Sequence, residues 1–233
     1  MKAKPLLLIA ALAAVLAAPA ADAPAQQRKA VVQRDWSQTV SMTPEGGYRM
    51  GNPAAAVKVV EYLSLTCPHC AEFAEQGTPS LIRDYVRSGR VSLEYRSFIL
   101  NGLDLAATFL SRCAAPANYF ALNHAILAAQ PQWMGRIEAL TDAQHRELEG
   151  LAPLERMQRA VTLAGLDTLA ARHGVSAAQA RTCLSNQAGL NRILEMQQAG
   201  SRAGVNGTPT FAINGRIVET NAWAGIEPLL RGQ

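Results

Sequence analysis

Val57-Lys58-Val59-Val60-Glu61-Tyr62-Leu63-Ser64-Leu65-Thr66-Cys67-Pro68-His69-Cys70-Ala71-Glu72-Phe73-Ala74 is the stretch on which the fold turns. Val57 to Leu65 reads as a strand, because its odd positions Val57, Val59, Leu63 and Leu65 form an apolar row broken by one carboxylate, Glu61. From Cys70 the period changes. Cys70, Phe73, Ala74, Gly77, Leu81 and Tyr85 recur three or four residues apart, the stripe of a helix with one buried face. Pro79 is expected to kink this helix and Gly89 to stop it. A second strand reads from Val91 to Phe98. The order is therefore strand, Cys-Pro-His-Cys, helix, strand.

Downstream, residues 101–203 are rich in alanine and leucine and show no convincing strand. Helical composition stands out over Leu103–Ala114, Tyr119–Ala128, Leu154–Leu163 and Ala177–Leu184, and Leu190, Ile193 and Leu194 mark the stripe of a last helix. Strand character returns only at Thr208-Pro209-Thr210-Phe211-Ala212-Ile213. Asn214-Gly215 is a strong two-residue hairpin signal, Arg216-Ile217-Val218 is the returning strand, and a short helix over Ala222–Leu230 closes the chain.

Upstream, Gly51-Asn52-Pro53 punctuates the chain before the first strand. Residues 24–50 are polar and mixed and read as an N-terminal extension with one short strand near Thr39 to Met42. The first 23 residues have the layout of a secretory signal peptide: Lys2 and Lys4, an uncharged apolar run from Leu6 to Ala18, then small residues around Ala20 and Ala23. That apolar core is short for a membrane span, and an uncleaved N-terminal anchor is the alternative. The 233-residue chain carries 22 basic and 18 acidic residues, and two of the basic ones leave with the leader. So small and scattered a charge makes no case for nucleic acid as partner.

Export gives the four cysteines their meaning, since disulfides persist in oxidising compartments. One pair is tight; Cys113 and Cys183 are distant singles. Cys67 falls at a helix start, where free backbone N–H groups and the macrodipole favour a thiolate. It is the expected nucleophile, and Cys70, inside the first turn, the resolving thiol. Pro68 suits the first helical position, where its missing N–H costs nothing. His69 would add a donor or a cation. Each unit of pKa depression at Cys67 is about 1.4 kcal/mol of preference for the thiolate. Only the reduced form has that thiolate, so the same energy makes the disulfide more oxidising, by about 30 mV. A zinc site would need a second close pair, and covalent haem attachment would need His where Ala71 stands. No metal and no cofactor beyond the Cys67–Cys70 pair is expected.

The chain resembles the DsbA family of bacterial periplasmic thiol:disulfide oxidoreductases. Gly51-Asn52-Pro53, Val59-Val60-Glu61-Tyr62 and Cys67-Pro68-His69-Cys70 follow the family's N-terminal block, and Thr208-Pro209-Thr210-Phe211 with Asn214-Gly215 its C-terminal block. The resemblance implies an α/β thioredoxin fold with an inserted helical domain between the Cys-x-x-Cys helix/strand unit and the cis-proline strand. Residues 51–100 and 204–233 would form the thioredoxin domain, and 101–203 the insertion. It implies a cis Pro209 packed on the disulfide, with the Thr208 backbone pairing to substrate, and a buried acid, Glu61, beneath the two thiols. Glu61 on an apolar face should be desolvated and able to exchange protons with Cys70; pairing with a buried lysine, or a place at a sheet edge, is the other reading. For Cys113 and Cys183 a structural disulfide tying the insertion together is expected first, buried free thiols second, and a second redox pair last, since neither has a partner nearby in sequence. Trp133 reads either as part of an apolar surface near the tetrad or as core. His124, His145 and His173 show no ligand pattern and read as surface or satisfied core residues.

The function implied is donation of disulfides to exported proteins through a mixed disulfide on Cys67. A quinone-linked, DsbB-like membrane partner would reoxidise a periplasmic monomer. Two rivals remain. An isomerase or reductase would keep Cys67 reduced; a client-binding holdase would not need the thiols.

Overall fold

A computed structural model describes residues 34–231, together with Met1; the signal-peptide reading lies outside the described residues. Six strands form one sheet in the order β1-β2-β4-β3-β5-β6. They are β1 (Val40–Met42), β2 (Tyr48–Gly51), β3 (Val57–Leu63), β4 (Val91–Ser97), β5 (Thr210–Ile213) and β6 (Arg216–Val218). β3 and β4 run parallel, and every other neighbouring pair is antiparallel. The helices are α1 (Pro68–Gln76), α2 (Thr78–Leu81), α3 (Gly102–Ser111), α4 (Pro116–Ala128), α5 (Gln130–Glu138) and α6 (Asp142–Gly150). They continue with α7 (Pro153–Ala164), α8 (Leu166–Arg172), α9 (Ala177–Leu184), α10 (Gln187–Arg202) and α11 (Trp223–Arg231).

β3 is central, flanked by β4 and β5, and is buried along all of its length except Lys58. Its two faces serve different layers, as the two-residue period requires. Val57, Val59 and Leu63 join the main core with Cys70 and Phe73 of α1, Phe109 of α3 and Phe120 of α4. Val60 and Tyr62 join Phe98, Val205 and Ala212 in a smaller cluster on the other face. α10 closes over that cluster at Gly200, where a Cβ would stand 3.3 Å from Phe98 and 3.4 Å from Tyr62. A larger residue there would crowd both rings.

The kink expected at Pro79 takes the form of a break. α1 stops at Gln76, and α2 restarts at Thr78 with Pro79 in its first turn, where a proline is tolerated. Gly77 lies at the junction, with the Phe73 ring where a side chain would begin: a Cβ would meet it at 2.8 Å. Tyr85 is buried in a π-helical turn, Ile82–Val86, rather than on a continuous helix. Gly89 ends the element with φ +82°, and a Cβ there would strike the Trp36 ring at 2.6 Å, so only glycine fits.

Two further expectations need correction. The segment before residue 51 supplies two strands, since Tyr48–Gly51 pairs along β4 and carries β1 on its outer side. In α10 the buried stripe is Leu190, Ile193, Met196 and Gly200, whereas Leu194 is 41% exposed. Spacing of three, three and four keeps one face; a residue next to Ile193 falls off it. The Asn214-Gly215 turn forms as expected, both residues having positive φ (50° and 82°) and Ile213 pairing with Arg216. This is a thioredoxin fold with helices α3 to α10 inserted between β4 and β5.

Candidate active site

β3 ends at Leu63, and Ser64 to Cys67 carries the chain into α1. Cys67 is the N-cap, still extended at φ −85° and ψ 121°, and Pro68 follows in the first helical turn. The helix begins without a side-chain cap, so its first N–H groups are free for the sulfur. Cys67 Sγ lies 3.2 Å from the Thr208 carbonyl oxygen, to which the thiol donates. The Thr208–Pro209 peptide is cis, and Pro209 is buried.

The two cysteines are unbonded thiols in opposite environments. The Cys67 thiol is drawn down to about 5, chiefly by a hydrogen bond from the Cys70 thiol. Burial opposes this, while the Thr208 side chain and the N–H groups of Cys70 and His69 add to it. The Thr208 hydroxyl is otherwise buried without a partner, so it is free to turn to a thiolate. The Cys70 thiol, wholly buried, is pushed far up by desolvation, then by its bond to Cys67 and the charges of Glu61 and Cys67. One sulfur is a nucleophile and leaving group at neutral pH; the other holds its proton.

Glu61 lies on β3 between Tyr95 of β4 and Phe211 of β5, and is 2% exposed. Its Oε2 has no hydrogen-bond partner. Burial first, and the Cys67 charge second, push its carboxyl up to about 8. No lysine pairs with it among the described residues, and β3 is no edge strand. His69 behaves differently from expectation. Its backbone N–H serves Cys67, but its ring is 70% exposed and turns to Glu72, with Nδ1 3.5 Å from Oε2.

The inserted helices hold the loop before Cys67. Gln130, at the start of α5, is buried and donates from Nε2 to the carbonyls of Leu65 (2.8 Å) and Cys67 (3.0 Å). Asp104 in α3 accepts from the N–H groups of Leu65 (2.9 Å) and Leu100 (3.0 Å). Asn101 caps α3 by accepting from Asp104 N–H, and donates to Thr66 Oγ1 at 3.0 Å. Gln130 and Asp104 were passed over in the sequence. An acid between Leu103 and Leu105 in an apolar helix was a signal for one; nothing local marked the other.

A groove of about 530 Å³ lies between α1 and the α4–α5 junction, lined by Pro68, Ala71, Glu75, His124, Leu127 and Gln130 among others. A smaller one of about 80 Å³ lies between His69, Phe73 and Trp223. Trp133 belongs to the core, 2% exposed, with Nε1 donating to the Ile126 carbonyl at 2.9 Å. Cys113, just past α3, and Cys183 of α9 are joined as a disulfide.

Known proteins share this architecture. A Rickettsia bellii protein with the provisional name protein-disulfide oxidoreductase is 35% identical over 144 residues, 59% of this chain and 54% of its own. Its counterpart in Rickettsia conorii is 37% identical over 113 residues, 47% of this chain and 40% of its own. The chain thus spans about half the length of the curated relatives it matches. Among solved structures, a protein-disulfide isomerase from Novosphingobium aromaticivorans superposes with a TM-score of 0.72 at 29% identity. That match covers 79% of this chain and 95% of the other. Wolbachia pipientis alpha-DsbA1 shares the fold with a TM-score of 0.59 at 20% identity, over 82% of this chain and 91% of that one. The thioredoxin family model matches residues 43–231, which take in the Cys67–Cys70 helix start, Glu61 and the Pro209 strand: the chain belongs to the thioredoxin family.

Proposed function

We propose that this protein is a periplasmic thiol:disulfide oxidoreductase that donates a disulfide to exported proteins. The observation that carries the reading is the opposed pair of thiols, Cys67 drawn down to about 5 and Cys70 pushed up at the same helix start. A substrate thiolate attacks Cys67 Sγ of the Cys67–Cys70 disulfide and forms a mixed disulfide. Cys70 leaves with the bond's electron pair and takes a proton from Glu61, whose carboxyl at about 8 holds one at neutral pH. The substrate's second thiolate then attacks its own sulfur in the mixed disulfide. Cys67 departs as a stabilised thiolate, the substrate keeps the new disulfide, and the protein is left with the Cys67 thiolate and the Cys70 thiol. Thr208 and Pro209, beside Cys67, are the backbone on which a substrate strand would pair.

Reoxidation runs the same steps backwards against a membrane partner of the DsbB-like, quinone-linked kind, with this chain acting as a monomer. The periplasmic placement rests on the leader-like residues 1–23. No helix among the described residues is long and apolar enough to cross a membrane. The isomerase reading has one observation of its own, the 29% identity to a protein named a disulfide isomerase over 95% of its length. Equilibrating Cys113→Ala/Cys183→Ala protein with glutathione buffers separates the two. A potential well above that of thioredoxin, about −270 mV, supports the disulfide donor; one at or below it sinks the donor and leaves the reductant or isomerase.

A further inference from the structure

The proton that Glu61 gives to Cys70 must be replaced from water, yet both residues are sealed. Glu61 is 2% exposed and Cys70 0%. Glu61 has one neighbour in the ladder that carries a titratable group, Tyr95, its register partner on β4, and the two side chains share a sheet face. Tyr95 is itself buried, and its hydroxyl sits 2.9 Å from Nε2 of His124 on α4. The His124 ring packs edge-on against Tyr95, with centroids 6.0 Å apart. His124 is part-buried and lines the groove along α1. Glu61 Oε2 has no hydrogen-bond partner, Tyr95 included, so the inner step needs a water or a turn of the Glu61 side chain to bridge to the Tyr95 hydroxyl.

We infer that Tyr95 and His124 form the proton path between the buried Glu61–Cys70 pair and the groove beside α1. The inference rests on the exchange activity proposed above. A hydroxyl can accept a proton on one lone pair while releasing its own, so Tyr95 relays without becoming charged. That matters, because burial and then the Glu61 charge hold its phenol well above the ordinary range. His124 is suited to the outer position for the same reason. Burial draws its imidazole down to about 4, so at neutral pH it is a neutral ring with one N–H and one acceptor nitrogen. The groups facing these two are few: Tyr48 on β2 and Tyr119 on α4 near Tyr95, Thr78 of α2, and Glu72, Glu75 and Gln130 around the groove. When the reduced protein resolves a mixed disulfide, the flow reverses. Glu61 first releases its proton outwards through Tyr95 and His124; as a carboxylate it then takes the Cys70 proton while Cys70 attacks Cys67 Sγ and the bound thiol leaves as a thiolate.

The test uses the reduced full chain and oxidised glutathione, with acid quench resolving two steps: mixed-disulfide formation at Cys67, and its resolution by Cys70. Tyr95→Phe and His124→Asn are each expected to slow resolution roughly tenfold or more, less than the about 10²–10⁴ of a group in direct contact with the reacting atoms, because both act through Glu61. Formation of the mixed disulfide should be unchanged, which reports an intact Cys67 site. In a Glu61→Gln background neither substitution should slow resolution further, because the path then has no inner end. Imidazole should restore resolution to His124→Ala through the groove. Unchanged resolution in both single variants, or losses that add in full to Glu61→Gln, would overturn the path. If Tyr95→Phe also loses the first step, His124→Asn decides alone. A wild-type protein that forms no mixed disulfide would instead refute the exchange activity itself.

Discussion

Two pairs of cysteines occupy this molecule, and closing the bond has opposite consequences in the two places. Cys113 and Cys183 are 70 residues apart in sequence, one past the end of α3 and the other near the end of α9, and neither is a helix N-cap. Their bond removes freedom from the unfolded chain and gives up nothing in the folded one. Cys67 and Cys70 close a ring of only a few residues, so their bond constrains the unfolded chain little. What it costs is the folded thiolate, held by Cys70, Thr208 and the N–H groups of α1. On the proposed function, the same covalent bond is therefore a brace at one site and a stored oxidant at the other. Loop length and helix placement make the difference, not the cysteine.

The largest effect that could break this comparison is on activity. Cys67→Ser with Cys70→Ser is expected to abolish oxidation of a dithiol peptide, while Cys113→Ala with Cys183→Ala retains it. Oxidation surviving the first pair of changes would transfer the chemistry to Cys113–Cys183, the disulfide that remains.

Next comes stability. Removing the Cys113–Cys183 bridge should cost about 4 kcal/mol by loop closure over 70 residues, read as a lower urea midpoint. Reducing Cys67–Cys70 should instead raise the midpoint. This second effect carries a pH signature. The Cys67 thiol lies at about 5 in the fold against an ordinary 9.0, so its contribution is fully present above about 9 and lost as pH falls towards 5. The excess stability of the reduced over the oxidised protein should shrink through that window and vanish below it. Urea titrations of both forms at pH 5, 7 and 9 check the sign; a gap that widens in acid would mean that the folded thiolate is not what is stabilised.

How much of this could be read from the chain depends on the range of the interactions. The Cys67–Cys70 helix start and the Asn214-Gly215 hairpin are decided within a few residues, and both form where the local pattern puts them. Glu61 was legible because a carboxylate in an apolar row has few places to go. The break at Gly77 was not, since it depends on the Phe73 ring filling the space beside that backbone. β2 was not, because Tyr48–Gly51 becomes a strand only by pairing with β4, more than forty residues on. His124 shows no motif of any kind. Its partner Tyr95 comes from another layer of the fold, and only the packing of α4 on the sheet brings the two together.

Gln130 offers the smallest and sharpest test. It belongs to the same inserted helices as the Cys113–Cys183 brace, yet its amide holds the carbonyls of Leu65 and Cys67, the loop that aims the nucleophile. Gln130→Ala leaves both carbonyls without that donor, at a cost of about 1–3 kcal/mol for a buried polar group left unpaired. The donors that lower Cys67 belong to Cys70, Thr208 and α1, none of which Gln130 hydrogen-bonds. The urea midpoint should therefore fall, while thiolate absorbance still titrates within about one unit of its wild-type position, less than 1.4 kcal/mol of preference. A large upward move of that titration would show that the insertion sets the reactivity of Cys67 as well as holding its loop, and the division between brace and redox site would have to be redrawn around α5.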